Sequence, residues 1–247
     1  MILTTITTAA LLLAAPQGGD DENNGWSGAA NAGVTWITGN SEAVTSTVDV
    51  TTKYENGGYR WIFEGNYSGV RNTDQTTGDA STSSRLYRLA AEHHRFLDSE
   101  ENLYMYGKGS ARSDKPIGLD IREDAGVGLG YTWRWDEDKS QVSVEGGPSY
   151  LIENNVGALK QDFLAARAGA RLDSQLAEDW KLLGRAEYFN SLDNTEDRSF
   201  TGELSLRWNF EESWFAQATA ANAWDNTPGP GLKKTDWRFV VSIGTTF

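Results

Sequence analysis

The sequence predicts an all-β protein, a transmembrane antiparallel up-and-down β-barrel of about 12 strands with short periplasmic turns and longer extracellular loops. Three observations lead to this prediction. Apolar and polar residues alternate with a period of two, the connections alternate between short and long, and the tryptophans gather at two levels. A composition of 10 Trp, 9 Tyr, 9 Phe, 26 Gly and no Cys also suits two-faced sheets better than helical bundles.

The first 25 residues are expected to lie outside the barrel. Residues 1–15 contain an apolar core that ends in small residues, which predicts a signal peptide, although no Lys or Arg precedes that core. An ordinary apolar strand is the alternative for this segment. Residues 16–25 are polar, acidic and rich in Gly, which predicts a flexible lead-in. The barrel is therefore expected to span residues 26–247.

The alternation begins with three strands at about 26–36, 44–54 and 59–68. In the third, Trp61 and Phe63 share one face and Arg60 the other. The same pattern predicts nine further strands at about 84–96, 103–113, 120–133, 140–153, 160–175, 180–190, 198–210, 214–225 and 235–247. A tilted membrane strand needs roughly 9–11 residues, so each of these segments is long enough to cross a bilayer.

The connections between the predicted strands alternate in kind. One set is short and acidic and comprises residues 55–58, 98–102, 136–139, 177–179 and 211–213. The other set is longer, apart from residues 38–42, and comprises 71–83, 114–119, 154–159, 190–197 and 226–234. Short turns at one rim and longer loops at the other are typical of outer-membrane barrels, whereas soluble sandwiches have no reason to separate them.

The tryptophans support the same topology. Six are predicted at the rim of short turns, namely Trp26, Trp133, Trp135, Trp180, Trp208 and Trp214. Three are predicted towards the opposite rim, namely Trp36, Trp224 and Trp237. Aromatic rings form such belts at the headgroup levels of a membrane, while a soluble lipocalin-like barrel, the alternative, would concentrate them in its core.

The last strand ends in an aromatic residue. Trp237, Phe239, Val241 and Ile243 share its apolar face, and the chain closes on Phe247. This ending resembles the assembly signal of bacterial outer-membrane proteins, so the barrel-assembly machinery is an expected partner. Outer-membrane lipid and lipopolysaccharide are the other expected partners. The net charge of −13 argues against nucleic acid, and a closed barrel without free edges is expected to be a monomer in the bacterial outer membrane.

Residues 33–41 (GVTWITGNS), followed by the alternating segment 44–54, resemble the start of a known family. The chain is similar to the salt-induced outer-membrane proteins related to YdiY, a domain of unknown function. The resemblance covers roughly residues 26–247. It implies an outer-membrane barrel and no established activity.

The predicted interior is rich in charge. In the predicted register twelve basic and nine acidic residues face inward, an excess of three positive charges. The lumen-lining candidates are Arg60, Arg88, Arg112, Arg122, Arg167, Arg171, Arg185, Arg207, Arg238, Glu64, Glu145 and Glu203. Two functions follow. One is a narrow passive pore or solute-binding barrel with an Arg-lined lumen, biased towards anions or polar solutes. The other is a structural, envelope-stabilising barrel whose charges plug the lumen and allow no transport.

The sequence predicts no catalytic residue, no cofactor and no metal site. The only histidines, His93 and His94, lie beside a predicted periplasmic turn, His93 facing lipid and His94 the lumen. No GxSxG motif and no histidine elsewhere in the chain offers a nucleophile and base. The acidic clusters lack the spacing of calcium-binding loops, and the absence of Cys excludes thiolate chemistry. An enzyme is therefore not expected.

Overall fold

The computed structural model describes residues 24–38, 43–73, 80–115, 118–155, 160–229 and 231–247. The predicted signal peptide and most of the predicted lead-in lie outside the described residues. The first strand begins at Asn24, so the last two residues of the predicted lead-in belong to the barrel.

Twelve strands make up the described barrel. They are β1 (Asn24–Thr38), β2 (Ala43–Asn56), β3 (Tyr59–Thr73), β4 (Ala80–Phe96), β5 (Leu103–Asp114), β6 (Leu119–Trp135), β7 (Ser140–Asn155), β8 (Gln161–Ala177), β9 (Trp180–Ser191), β10 (Arg198–Asn209), β11 (Trp214–Asp225) and β12 (Thr235–Thr246). Each strand pairs antiparallel with its neighbours in sequence, and β12 closes the barrel on β1. The predicted 12-stranded up-and-down barrel is confirmed. In the part of the chain that the structure describes, no helix is long and apolar enough to cross a membrane.

The two rims differ in the length of their connections. Five connections at one end, which we call the turn rim, have two to six residues, and those at the other end, the loop rim, have four to nine. The predicted loop 71–83 is shorter in the structure, because β3 continues to Thr73 and β4 already begins at Ala80. The ladder of backbone hydrogen bonds continues across an irregularity at Val70 and Arg71.

The two faces of the barrel wall have opposite chemistry. Outward-facing Leu89 and Val127 keep 62% and 60% of their surface exposed, while inward-facing Glu92 and Asp114 keep 2% and 0%. Water disfavours such a distribution, since large apolar side chains normally lie inside and carboxylates outside. If lipid hydrocarbon surrounds the barrel, exposed apolar side chains on its outer face become favourable.

Aromatic side chains form contacts on the outer face near the turn rim. Trp180 stacks against Trp208 with ring centroids 6.1 Å apart, and Trp26 lies 5.2 Å from Tyr54. These pairs connect neighbouring strands at the level where the sequence predicts an aromatic belt. Amphipathic rings are stable at a membrane interface because one part is apolar and the other can meet water.

Candidate functional site

A network of ion pairs crosses the middle of the barrel. The Glu64 carboxylate on β3 accepts hydrogen bonds from Arg88 at 2.6 Å, from Arg171 at 3.1 Å and from Arg185. Arg185 stands on β9, which is opposite β3 in a ring of twelve strands. Arg185 also lies 2.8 Å from Glu203 on the neighbouring strand. The network therefore spans the lumen instead of following its wall.

A second part of the network surrounds Arg167. Its guanidinium donates to Glu187 at 2.8 Å and to Glu145 at 3.0 Å, and Lys108 also donates to Glu187. Arg167 is 5% exposed and lies 5.0 Å from the centre of the Tyr106 ring. Neither Arg167 nor Glu145 borders the open part of the lumen.

These residues together form what we call the charge plug. Its members are Glu64, Arg88, Glu92, Lys108, Glu145, Arg167, Arg171, Arg185, Glu187 and Glu203. Five cations meet five carboxylates, so the plug is close to neutral. Buried charges are tolerated when each is paired and hydrogen-bonded in this way, and removing one partner leaves a costly buried charge.

Three inward-facing glycines of β6 make room for the plug. Gly128 and Gly130 pair with Tyr106 and Tyr104 of β5, and Gly126 pairs with Lys108. A Cβ atom at Gly130 would lie 2.3 Å from the Tyr104 ring, which is fully buried. A larger side chain at Gly128 or Gly130 would therefore occupy the space that the tyrosine rings fill.

We expect Gly130→Ala to lower the free energy of unfolding in detergent by about 1–3 kcal/mol, the usual cost of overpacking. Gly107→Ala on the adjacent strand is the matched control, because nothing lies within 4 Å of its Cβ position. Denaturant titration of both variants measures the difference. Equal stability of the two variants would show that Tyr104 can move without cost.

A compact group of titratable side chains lies beside Tyr104. His94 Nε2 is 2.5 Å from Glu92 Oε1 and 3.7 Å from Glu145 Oε1. The Tyr104 hydroxyl donates to Glu145 Oε1 at 3.1 Å, and its ring stacks on His94 with centroids 4.2 Å apart. The structure thus places His94 in the interior, while His93 faces outward against Trp61. The sequence did not indicate this group, because Glu145 lies on β7, far along the chain from β4.

Two acids that the predicted register omitted neutralise arginines near the loop rim. Asp114 accepts from Arg112 and Arg238, both at 2.9 Å, and Glu153 accepts from Arg122 at 2.6 Å. A register shift between Arg112 and Asp114 accompanies the burial of Asp114, which the sequence had placed in a loop.

An acid in the connection after β9 borders this rim cluster. Asp197 accepts a hydrogen bond from Thr227 at 3.0 Å. Partial burial raises the pKa of the Asp197 carboxyl group, an effect that this hydrogen bond and the charge of Arg122 oppose.

Beside the plug, the lumen contains a cavity of about 600 Å³. Its wall includes Ser27 and Thr246 near the turn rim and Arg122 and Ser199 near the loop rim, so it extends along most of the barrel. The predicted lumen residues that border it are Arg60, Arg88, Arg112, Arg122, Arg171, Arg185, Arg207, Arg238, Glu64 and Glu203. The rest of the wall combines polar side chains of β1, β2 and β10–β12 with apolar ones, such as Leu86, Leu172 and Phe189, and with the carboxylates of Asp49, Asp124, Asp173 and Glu187.

Two cations on the cavity wall have no carboxylate within ion-pair distance among the described residues. Arg207 donates to Gln217 at 3.0 Å and lies 3.9 Å from the centre of the Phe215 ring, and Lys53 has no ion pair. Arg60, by contrast, pairs with Glu55 at the turn rim. Asp49 and Asp124 also border the cavity without an ion pair among the described residues. The excess of positive charge therefore belongs to the wall as a whole, which has nine basic and six acidic side chains.

Phe247 lies at the turn rim, where it completes the seam between β12 and β1. Its backbone exchanges two hydrogen bonds with Gly28, at 3.0 and 2.8 Å. The ring occupies the space above Gly28, where a Cβ atom would lie 2.7 Å from it, and 37% of the residue is exposed. A glycine at position 28 thus makes room for the terminal ring.

Solved structures with similar folds are outer-membrane barrels. The NanC porin superimposes with a TM-score of 0.56 at 7% identity and covers 87% of this chain and 98% of its own. The translocator domain of the autotransporter NalP from Neisseria meningitidis gives 0.50 at 16% identity, covering 92% of this chain and 90% of its own. The KdgM porin gives 0.50 at 11% identity, covering 89% and 99%. At such low sequence identity, these similarities show a shared fold and do not indicate a shared function.

The sequence comparisons identify a family without an assigned activity. No curated protein sequence matches this chain. The family model described as "Protein of unknown function, DUF481" matches residues 30–247, nearly the whole barrel. The chain therefore belongs to the DUF481 family of proteins of unknown function.

Proposed function

We propose that the protein is a narrow, passive channel of the bacterial outer membrane, in which small anions move along the cavity beside the charge plug. The observation that carries this proposal is the cavity itself, which extends along most of the barrel and is bordered by eight arginines. The apolar outer face and the fold shared with outer-membrane porins support the location. No catalytic role is proposed.

The selectivity follows from which charges are paired. Within the plug, each cation lies against a carboxylate, so its field at the cavity is largely cancelled. Arg207, Lys53, Asp49 and Asp124 border the cavity without such a partner among the described residues, and on the whole wall nine basic side chains outnumber six acidic ones. Unpaired charges in a narrow, water-filled passage attract counter-ions and repel ions of their own sign. Small anions are therefore the favoured solutes.

The volume of the cavity limits the size of the solute. A cavity of about 600 Å³ that extends along most of the barrel is narrow. Inorganic anions and small carboxylates fit such a passage, whereas an oligosaccharide needs a wider one. We therefore expect a small single-channel conductance.

A structural barrel without transport is the second candidate, and the plug is the observation that favours it. Ion pairs between Glu64 and the arginines of β8 and β9 connect opposite walls of the lumen. Such connections would stiffen the barrel whether or not the adjacent cavity conducts. The two candidates differ in one measurable property, which is conductance.

Conductance in planar bilayers tests the proposal. We expect the wild-type protein to give small channels whose reversal potential in a KCl gradient indicates anion selectivity. Arg207→Glu should shift this selectivity towards cations, because it places a negative charge on the cavity wall. Arg95→Glu is the matched control, because this substitution changes the net charge by the same amount, while Arg95 faces outward against Tyr59.

Two results would contradict the channel. The absence of conductance in the wild-type protein would favour the structural barrel. Equal shifts of the reversal potential in Arg207→Glu and Arg95→Glu would show that ions do not pass along the cavity.

The expected environment follows from the same geometry. We propose that outer-membrane lipid and lipopolysaccharide contact the apolar outer face, and that the barrel-assembly machinery inserts the chain. The strand order closes completely, so no sheet edge is left to pair with a second copy. A monomer is therefore expected.

A further inference from the structure

The group formed by Glu92, His94 and Glu145 has the composition of a metal site, and the channel does not require it. All three residues are buried, and one ligand atom of each lies within 4.8 Å of the others. We propose that these three side chains bind a divalent transition-metal ion, with Zn²⁺ as the representative probe. The proposal is independent of transport, because none of these three residues has a role in the proposed channel.

The fold brings the three donors together from two strands that are not neighbours. Glu92 and His94 stand two residues apart on the inward face of β4, and Glu145 reaches them from β7. Two strands, β5 and β6, lie between β4 and β7. Gly130 of β6 pairs with Tyr104 of β5 on one side and with Glu145 of β7 on the other. Because Gly130 has no side chain, the Tyr104 ring can lie over it, where it stacks on His94 and its hydroxyl reaches Glu145.

The distances between the donors suit a tetrahedral ion. Ligands at about 2.0–2.1 Å from zinc stand roughly 3.3 Å apart. His94 Nε2 lies 2.5 Å from Glu92 Oε1 and 3.7 Å from Glu145 Oε1, which brackets that separation. Both separations lie within about 1 Å of that value, and the two carboxylate donors lie within 4.8 Å of each other.

The Oε2 atoms of Glu92 and Glu145, which we call the outer oxygens because Oε1 faces His94, already accept hydrogen bonds from arginines. Arg171 donates to Glu92 Oε2 at 2.7 Å, and Arg167 donates to Glu145 Oε2 at 3.0 Å. The Tyr104 hydroxyl donates a hydrogen bond to the inner oxygen, Glu145 Oε1, at 3.1 Å. Partners of this kind orient metal-binding carboxylates and keep the inner oxygens directed at the ion. His94 and Tyr104 also border the cavity, from which water can occupy a fourth position.

The ligand set determines the class of ion. One imidazole and two carboxylates suit zinc, manganese, ferrous iron or cobalt, whereas calcium and magnesium prefer oxygen ligands alone. The positive charges of Arg167 and Arg171 oppose a cation and reduce its affinity. We therefore expect moderate affinity, in the micromolar range, rather than the tight binding of a structural zinc site.

The two adjacent histidines provide a matched pair of variants for the test. The chain contains only these two, and His93 faces outward beside His94. With purified protein that carries no histidine tag, we expect one equivalent of Zn²⁺ by titration calorimetry and an increase in melting temperature. His93→Gln should keep this binding. His94→Gln removes a ligand of the ion. It should therefore weaken binding by more than the loss of a residue that only orients a ligand, which costs about 10- to 100-fold.

A spectroscopic probe identifies the ligand directly. Cu²⁺ added to the wild-type protein and to His93→Gln should show hyperfine coupling to one nitrogen in its electron paramagnetic resonance spectrum. Tyr104→Phe should keep that coupling and weaken Zn²⁺ binding by about 10-fold, because Glu145 loses a supporting hydrogen bond. Both measurements remain informative if His94→Gln does not fold.

Three outcomes would overturn the proposal. They are the absence of saturable Zn²⁺ binding to the wild-type protein, equal binding by His93→Gln and His94→Gln, and a Cu²⁺ spectrum without nitrogen coupling. In the first case the group would have a purely structural role. A protein that binds Zn²⁺ but shows no conductance would contradict the channel and leave the metal site intact.

Discussion

Replacing Arg167 and Arg171 together with Glu is expected to destabilise the barrel strongly rather than to reverse its ion selectivity. Arg167 lies between Glu145 and Glu187 and does not border the cavity. The double change would bring the new carboxylates against four existing ones in a buried region. Breaking one buried pair costs about 3–5 kcal/mol, so the loss of several pairs should remove most of the stability of the barrel.

Denaturant unfolding in detergent measures this effect, and Arg207→Glu is the control. Arg207 has no ion pair among the described residues and stands against the Phe215 ring, so its reversal should cost much less stability. In bilayers, the double variant should show irregular leak, whereas Arg207→Glu should show defined channels. Normal stability of the double variant, together with a clean shift to cation selectivity, would mean that Arg167 and Arg171 line the conducting path.

Replacing Phe247 is expected to lower the amount of protein in the outer membrane sharply while leaving the folded barrel almost as stable as before. We use Phe247→Ser because the backbone hydrogen bonds to Gly28 remain. The residue is 37% exposed, so removal of its ring should cost less than the ~3–5 kcal/mol of a fully buried Phe. A chain that the assembly machinery does not recognise stays in the periplasm and is degraded, which makes the effect in cells much larger.

Phe210→Ser is the matched control for the terminal ring. Phe210 lies at the same rim, is 39% exposed and contacts Trp208, but it does not follow β12. Both variants should lose a similar, small amount of thermal stability after refolding in detergent. Only Phe247→Ser should be depleted from outer-membrane fractions. Equal depletion of the two variants, or a large loss of stability for Phe247→Ser, would make Phe247 an ordinary packing residue.

The strands and their facing could be predicted from the sequence, because both depend on a short-range rule. Successive side chains of a strand point to opposite faces, so Arg60 and Trp61 must lie on different sides wherever the strand sits. A slip of one residue would place every inward charge in hydrocarbon, at roughly 2–4 kcal/mol for each Arg near the midplane. The number of strands and the closure of the barrel follow from the same alternation, repeated along the chain.

The partners of the inward charges could not be predicted in this way. Glu64 meets Arg185 across the lumen, and the distance along the chain between two such residues carries no information about their contact. Asp114 continues the inward face of Arg112, but it lies one residue beyond the predicted end of β5, where the pairing with β6 shifts. The alternation therefore determined which residues point into the barrel. Only the closed tertiary structure decided which of them pair into a plug, which converge around His94, and which stay unpaired beside a cavity, because those contacts depend on side chains from distant strands meeting in a confined space.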